Sequence, residues 1–532
     1  MDVMDVESFL QRENKILKEL SVKIGQAGWM VTSTGEESWN DALEVAQNEW
    51  KRYLSDTERF ALITKHLENK QLTSLQQRQL TELHHLMINQ QLDPQLAERS
   101  TRMTKELVDI FNSYRPTIQN QHVSNNDIRT ILETSLDPEE RKQAWLASKQ
   151  IGKQVCDRAL QLIQQRNEEA RTLGYDNYYQ MQYSAQDLDL DVVFALIDEL
   201  LVQSEEPYRL MKQQIDEELA QKFRITVSQL RPWHYSDPFF QSTPAVSEWS
   251  MAEYLQNKRM EAITAETFQS MGLNITDVIA RSDLYPRDKK YPYGYCTDMG
   301  RTGEPRVMMS MNPSEFWMSV MLHEFGHAAY EKNIDAALPF LLRKPAHTLT
   351  TEAIAMLFGR MTKDQDWITR FIKPEPTAFA SHASALRDTL QREMLVSMRW
   401  YITFVKFERE LYERPHTNVN ERWWQLVEEI QHLHAPEDTR HPDWATKMHF
   451  TLAPVSYQSY ILGELTASQL HHYIMTNISH DLFSQEAGTY IKEQFFSPGA
   501  TWTWNDLLKR ATDEPLHPKY FVQQFVSSHC KQ

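Results

Sequence analysis

The chain has 532 residues, enough for one large domain or two or three smaller ones, and its formal net charge of −17 comes with no basic stripe, which argues against nucleic acid as a partner. Only 14 residues are glycine, while Gln, Glu, Leu and Lys recur in long runs; sheets and α/β turns consume glycine, so a mostly α-helical protein is expected. No span approaches the roughly 20 apolar residues of a membrane helix, so no membrane partner is expected. The acidic opening Met1-Asp2-Val3-Met4-Asp5 is followed by no apolar run, which speaks against a signal peptide. Apolar residues spaced by three and four predict helices at roughly 7–24, 37–68, 71–114, 155–172 and 190–222. The stretch 226–248, with Pro232, Pro238 and Pro244, reads as a connector. A second break, Asp283 to Pro305, is expected to carry the few short strands, and Arg306 to Met311 reads as a strand feeding the next helix. Cys156, Cys296 and Cys530 are odd in number and far apart, which suits free thiols and a cytoplasmic location.

That next helix holds the most informative residues. Asn312-Pro313-Ser314-Glu315 offers an N-cap, a first-turn proline and a third-position glutamate, and Phe316 to Tyr330 is apolar enough for burial. Within it, His323-Glu324-Phe325-Gly326-His327 sets two imidazoles four residues apart on one face, with Glu324 beside them. Two histidines and a glutamate in so apolar a helix need partners. This is the spacing of a zinc peptidase site, one zinc per chain, with Glu324 placed to deprotonate water. The bland alternative is a packed helix with two histidines. Zinc needs a third protein ligand. Metzincins place a histidine six residues beyond the second, where Asn333 stands, so that class is excluded. Thermolysin-like enzymes place a glutamate about twenty residues on, where His347 stands. Glu352, the lone carboxylate near the start of the apolar run Thr350 to Phe358, is the favoured ligand, with His347 as the substitute.

Together these two segments resemble the glutamate-type zinc peptidases that include angiotensin-converting enzyme and the thimet-type oligopeptidases. A third stretch is similar to the converting enzymes: Lys447-Met448-His449, then Tyr457 and Tyr460, with one residue inserted between His449 and Tyr457. Thr439-Arg440-His441-Pro442-Asp443-Trp444 and the early Ala27-Gly28-Trp29-Met30, with Thr32 and Thr34, look related too. The resemblance implies a large two-lobed helical peptidase with a deep central groove and a small short-stranded sheet near the zinc. It would be a single catalytic unit over 1–532, with an N-terminal lobe or lid of about 1–225 and a zinc and substrate region of about 283–475. It further implies that His323, His327 and Glu352 bind zinc, and that Glu324 is the general base. His449 and Tyr460 would donate to the oxyanion, and Lys447 and Tyr457 would hold a peptide's terminal carboxylate. Aligned without gaps, Tyr293-Gly294-Tyr295 falls on the family's substrate-binding edge strand.

Four departures stand out. Tyr293 replaces a histidine, and Pro292 and Ser310 replace a pair of disulfide cysteines. Met356 replaces an aspartate that orients a zinc histidine, and Ser459 an arginine that helps bind chloride. The expected activity is zinc-dependent hydrolysis of short or unfolded peptides, with release of C-terminal dipeptides. An endo-acting oligopeptidase on the same metal is the alternative. An aminopeptidase would need a Gly-Met-Glu-Asn motif, which Met309-Ser310-Met311-Asn312 does not supply. A non-catalytic helical peptide-binding protein is the alternative of another class.

Overall fold

The computed structural model describes residues 5–243, 249–256, 258–416 and 418–526. The opening residues Met1 to Met4, Pro244 of the connector and Cys530 therefore lie outside the described residues. Among those described, helices dominate and strands are confined to two two-stranded ladders, so the mostly α expectation holds. No described helix is long and apolar enough to cross a membrane.

The expected helices are present, but two of them are double. The run 37–68 is Glu37–Leu54 and Thr57–Leu67, because Asp56 caps the second piece by accepting the Arg59 N–H at 2.9 Å. The run 71–114 is Ser74–Ile88 and Pro94–Ser113, interrupted where Asp93 caps a proline-led start. Apolar spacing continues across such a break because both pieces face one core; the caps end the helix all the same. The first helix runs on to Thr34, and the run at 190 continues through Pro207 to Phe223.

Phe9, Leu10, Leu17, Leu54, Ile63, Leu80, Leu83 and Met87 bury their side chains together, joined by Phe340 and Leu341 from a later loop. The remaining helices share a second, larger core that contains Trp145, Trp367, Trp400, Trp423 and Trp444.

Three helices build the middle of that larger core. The motif helix, Glu315–Lys332, packs along the acid helix, Thr348–Gly359, which packs in turn along the tyrosine helix, Gln458–Asn477. Gly326 permits the first crossing: a Cβ there would stand 3.0 Å from the Cα of Ala355. Tyr295–Thr297 and Arg306–Met308 form the short antiparallel ladder beside the motif helix. The strand expected to reach Met311 stops at Met308. Beyond it, the N–H groups of Met309 and Met311 donate to the carbonyls of Asp283 and Leu284.

Candidate active site

The motif helix begins two residues later than the Asn312 cap predicts. Ser314 is the N-cap, its Oγ accepting the Trp317 N–H at 3.3 Å. From that start, His323 and His327 fall on one face with ring centroids 4.9 Å apart and near perpendicular. Opposite them stands Glu352. Its two carboxylate oxygens lie 3.7 Å from His323 Nε2 and 3.8 Å from His327 Nε2. One donor atom from each of the three residues falls within 4.8 Å of the others. Ligands of a tetrahedral zinc at about 2.0–2.1 Å stand roughly 3.3 Å apart, so the set fits zinc with a small contraction.

Hydrogen bonds aim both rings. His327 Nδ1 lies 2.7 Å from Thr351 Oγ1, and His323 donates to the backbone of Ala355. Those contacts occupy the far side of each ring and leave Nε2 facing Glu352. Met356 stands where the resemblance expects an aspartate, and Thr351 is the partner of the His327 ring instead. Burial pushes His323 down to about 4 and His327 to about 3, so both are in the neutral, ligating form. Burial, then Glu464, pushes Glu352 up to about 7. Burial, then Glu352 and Glu331, pushes Glu324 up to about 8. Two carboxyls and two neutral imidazoles in so dry a place lack a positive charge, and a divalent cation supplies one.

His347 does something else. Its Nδ1 accepts the Leu349 N–H at 2.9 Å and caps the acid helix, outside the three-residue cluster.

Glu324 is 8 % exposed, and Gly294 packs directly against its helix: a Cβ there would lie 2.9 Å from Val320 Cγ1 and 3.3 Å from the Glu324 Cγ and Oε1. The flanking tyrosines differ. Tyr293 is exposed, whereas the Tyr295 hydroxyl is hydrogen-bonded to Thr32 at the end of the first helix.

The third stretch forms one cluster. His449 opens the short helix His449–Leu452, and its ring meets Tyr457 edge-on at 5.3 Å. Its Nδ1 is buried with no hydrogen-bond partner among the described residues. Tyr457 meets Tyr460 at 5.3 Å, and Tyr460 stacks on Tyr401 close enough to feel the charge of Glu352. Pro454 does not start the tyrosine helix; that helix begins at Gln458, with Tyr457 as its N-cap residue.

Lys447 Nζ lies 6.0 Å from the Tyr457 ring, 5.1 Å from Trp400 and 5.6 Å from Phe239. Among the described residues it donates one hydrogen bond, 2.6 Å long, to the amide oxygen of Gln241. It makes no ion pair among the described residues, and burial, partly offset by the nearby charge of Asp237, pushes the ammonium down to about 8. Sequence reasoning missed Gln241, which sits in the proline-rich connector with no periodicity or motif to mark it. It missed Thr351 as well, although a hydroxyl beside the ligand glutamate was a usable signal.

Comparison with known proteins gives two family matches. The profile of peptidase family M3 matches residues 131–527, and that of angiotensin-converting enzyme matches residues 1–232. A search of curated proteins finds no match.

Proposed function

The chain belongs to peptidase family M3 and is a zinc-dependent peptidase, and from that premise we propose that it shortens peptides from the carboxyl end, two residues at a time. His323, His327 and Glu352 are the zinc ligands in this reading. Zinc held there supplies a Lewis acid that polarises the scissile carbonyl and acidifies water. Glu324 takes the proton of the attacking water and hands it to the leaving amine. His449 and Tyr460 donate hydrogen bonds to the carbonyl oxygen as it becomes anionic.

The observation that carries the cleavage mode is Lys447. A partly buried ammonium with no ion pair among the described residues, Asp237 acting on it only from a distance, and flanked by the amide of Gln241 and the Tyr457 ring, is suited to receive a carboxylate. A terminal carboxylate held there fixes which bond reaches the metal. The free thiols Cys156 and Cys296 support a reducing, cytoplasmic setting.

The test compares peptides with free and amidated C-termini, with and without a chelator, by mass spectrometry of the products. Amidation is expected to slow cleavage at least about tenfold, the size of a lost interaction of roughly 1.4 kcal/mol. Equal cleavage at internal bonds supports the endo-acting reading, which shares the metal and the base but lacks the clamp.

A further inference from the structure

The backbone takes an uncommon step between the residues that face the scissile bond. Val455 has φ 54°, the left-handed region that β-branched residues avoid, and its side chain is buried. This step falls inside the stretch where the chain carries its inserted residue.

Such a conformation persists only where the surroundings over-determine it. Here they do. Glu408 Oε1 accepts the Val455 N–H at 2.9 Å. The Val455 carbonyl accepts from Gln186 Nε2 at 3.0 Å and from Gln458 Nε2 at 2.8 Å. Glu408 and Gln458 are fully buried, and the second oxygen of Glu408 has no hydrogen-bond partner among the described residues. A buried carboxyl with an idle oxygen is costly, which points to a task for the other oxygen.

The geometry of its helix shows that task. Glu408 lies in the helix Ala383–Glu413, four residues after Phe404, so both side chains share one face. Phe404 stacks on Tyr457 with ring centroids 3.8 Å apart. One face of one helix therefore grips the turn at Val455 and the tyrosine two residues later.

We propose that Glu408 is a positioning residue for this peptidase: by accepting the Val455 N–H it holds the turn left-handed and thereby sets where Tyr457 and Tyr460 stand. The inference rests on the reading of Tyr460 as an oxyanion donor.

Four variants test it: Glu408→Ala, Glu408→Gln, Tyr460→Phe and the Glu408→Ala/Tyr460→Phe double variant, each with zinc content measured. Glu408→Ala is expected to lower kcat about tenfold or more, the scale of a small misplacement, with zinc retained. Glu408→Gln keeps an acceptor oxygen and stays near the parental rate. The double variant is no slower than Tyr460→Phe alone, because both changes remove one interaction.

Losses that multiply in the double variant overturn the proposal, as does a Glu408→Gln as slow as Glu408→Ala. Should Glu408→Ala not fold, Gln186→Ala loosens the same turn from a half-buried position. A loss of about threefold in the parent and none beside Tyr460→Phe is then the supporting result, and an equal loss in both overturns it. A parental kcat in Tyr460→Phe alone removes the oxyanion reading. The positioning role of Glu408 is then decided by Glu408→Gln against Glu408→Ala: a gap between them supports it and equality overturns it.

Discussion

Replacing Glu324 by glutamine exchanges one oxygen for an amide nitrogen and leaves the volume unchanged. The variant is predicted to keep zinc and peptide binding while kcat falls by about 10²–10⁴-fold, because an amide takes no proton from water. Isothermal titration on the inactive variant, paired with single-turnover rates, checks both halves; loss of zinc together with rate would make Glu324 a ligand. Lys447 gives a pH signature. Its ammonium is charged below about 8 and neutral above it, so the clamp weakens as pH rises through that value. The kcat/KM for peptides with a free C-terminus should fall through pH 8, while amidated peptides show no such limb. The same fall with both substrates would place the titrating group elsewhere. Glu324 and the histidine pair were readable in sequence because the chemistry needs both their type and their spacing. Gln241 was not, since its amide gains meaning only when the fold sets it beside Lys447, 206 residues away in the chain.

Elements were legible where one periodicity ran without interruption. The motif helix and the acid helix were readable as buried, yet the motif helix starts at Ser314 rather than after Asn312. Both residues offer a capping oxygen; the Ser314 hydroxyl is the one that reaches the Trp317 N–H, so the turn begins there. What no periodicity announces is how closely two helices approach. Gly326 sets that distance, and Gly326→Ala is predicted to force the motif and acid helices apart, since the added carbon would meet backbone at Ala355 rather than a side chain that can turn away. Overpacking of this kind costs about 1–3 kcal/mol. The separation also carries His323 and His327 away from Glu352, so zinc affinity should fall with stability. A zinc titration with a competing chelator and a thermal melt read the two losses; a lower Tm with unchanged zinc affinity would show that the ligands move together across the crossing.

Across the whole molecule, the two cores suggest two units of different cohesion. The helices from Val6 to Ile88 close on an apolar centre that also takes in Phe340 and Leu341, and meet the remainder through ring contacts such as Trp29 with Tyr295 and through several polar ties. Arg78 is the densest of these: it reaches Glu82 at 2.6 Å, Asp187 at 2.7 Å and the Ala500 carbonyl at 3.0 Å, while Glu82 also pairs with Lys344. Thr32 and Ser33 make another tie, to Tyr291, Tyr295 and Arg287 beside the glycine that packs against Glu324, and Asn14 a third, accepting the Leu341 N–H at 2.8 Å. None of this was visible in sequence, where residues 1–225 were expected to form one helical lobe or lid; which helix shares which core depends on contacts between distant segments. Removing one partner of a buried charge network costs about 3–5 kcal/mol, because the remaining charges stay buried. Arg78→Ala is therefore predicted to speed amide hydrogen exchange throughout 6–88 by about 10²-fold or more, by lowering the cost of opening that unit alone. The amides of the motif helix should keep their parental protection. Exchange mapped by mass spectrometry on both proteins decides the point: uniform acceleration along the chain would mean that the two cores open as one and that Arg78 ties nothing separable.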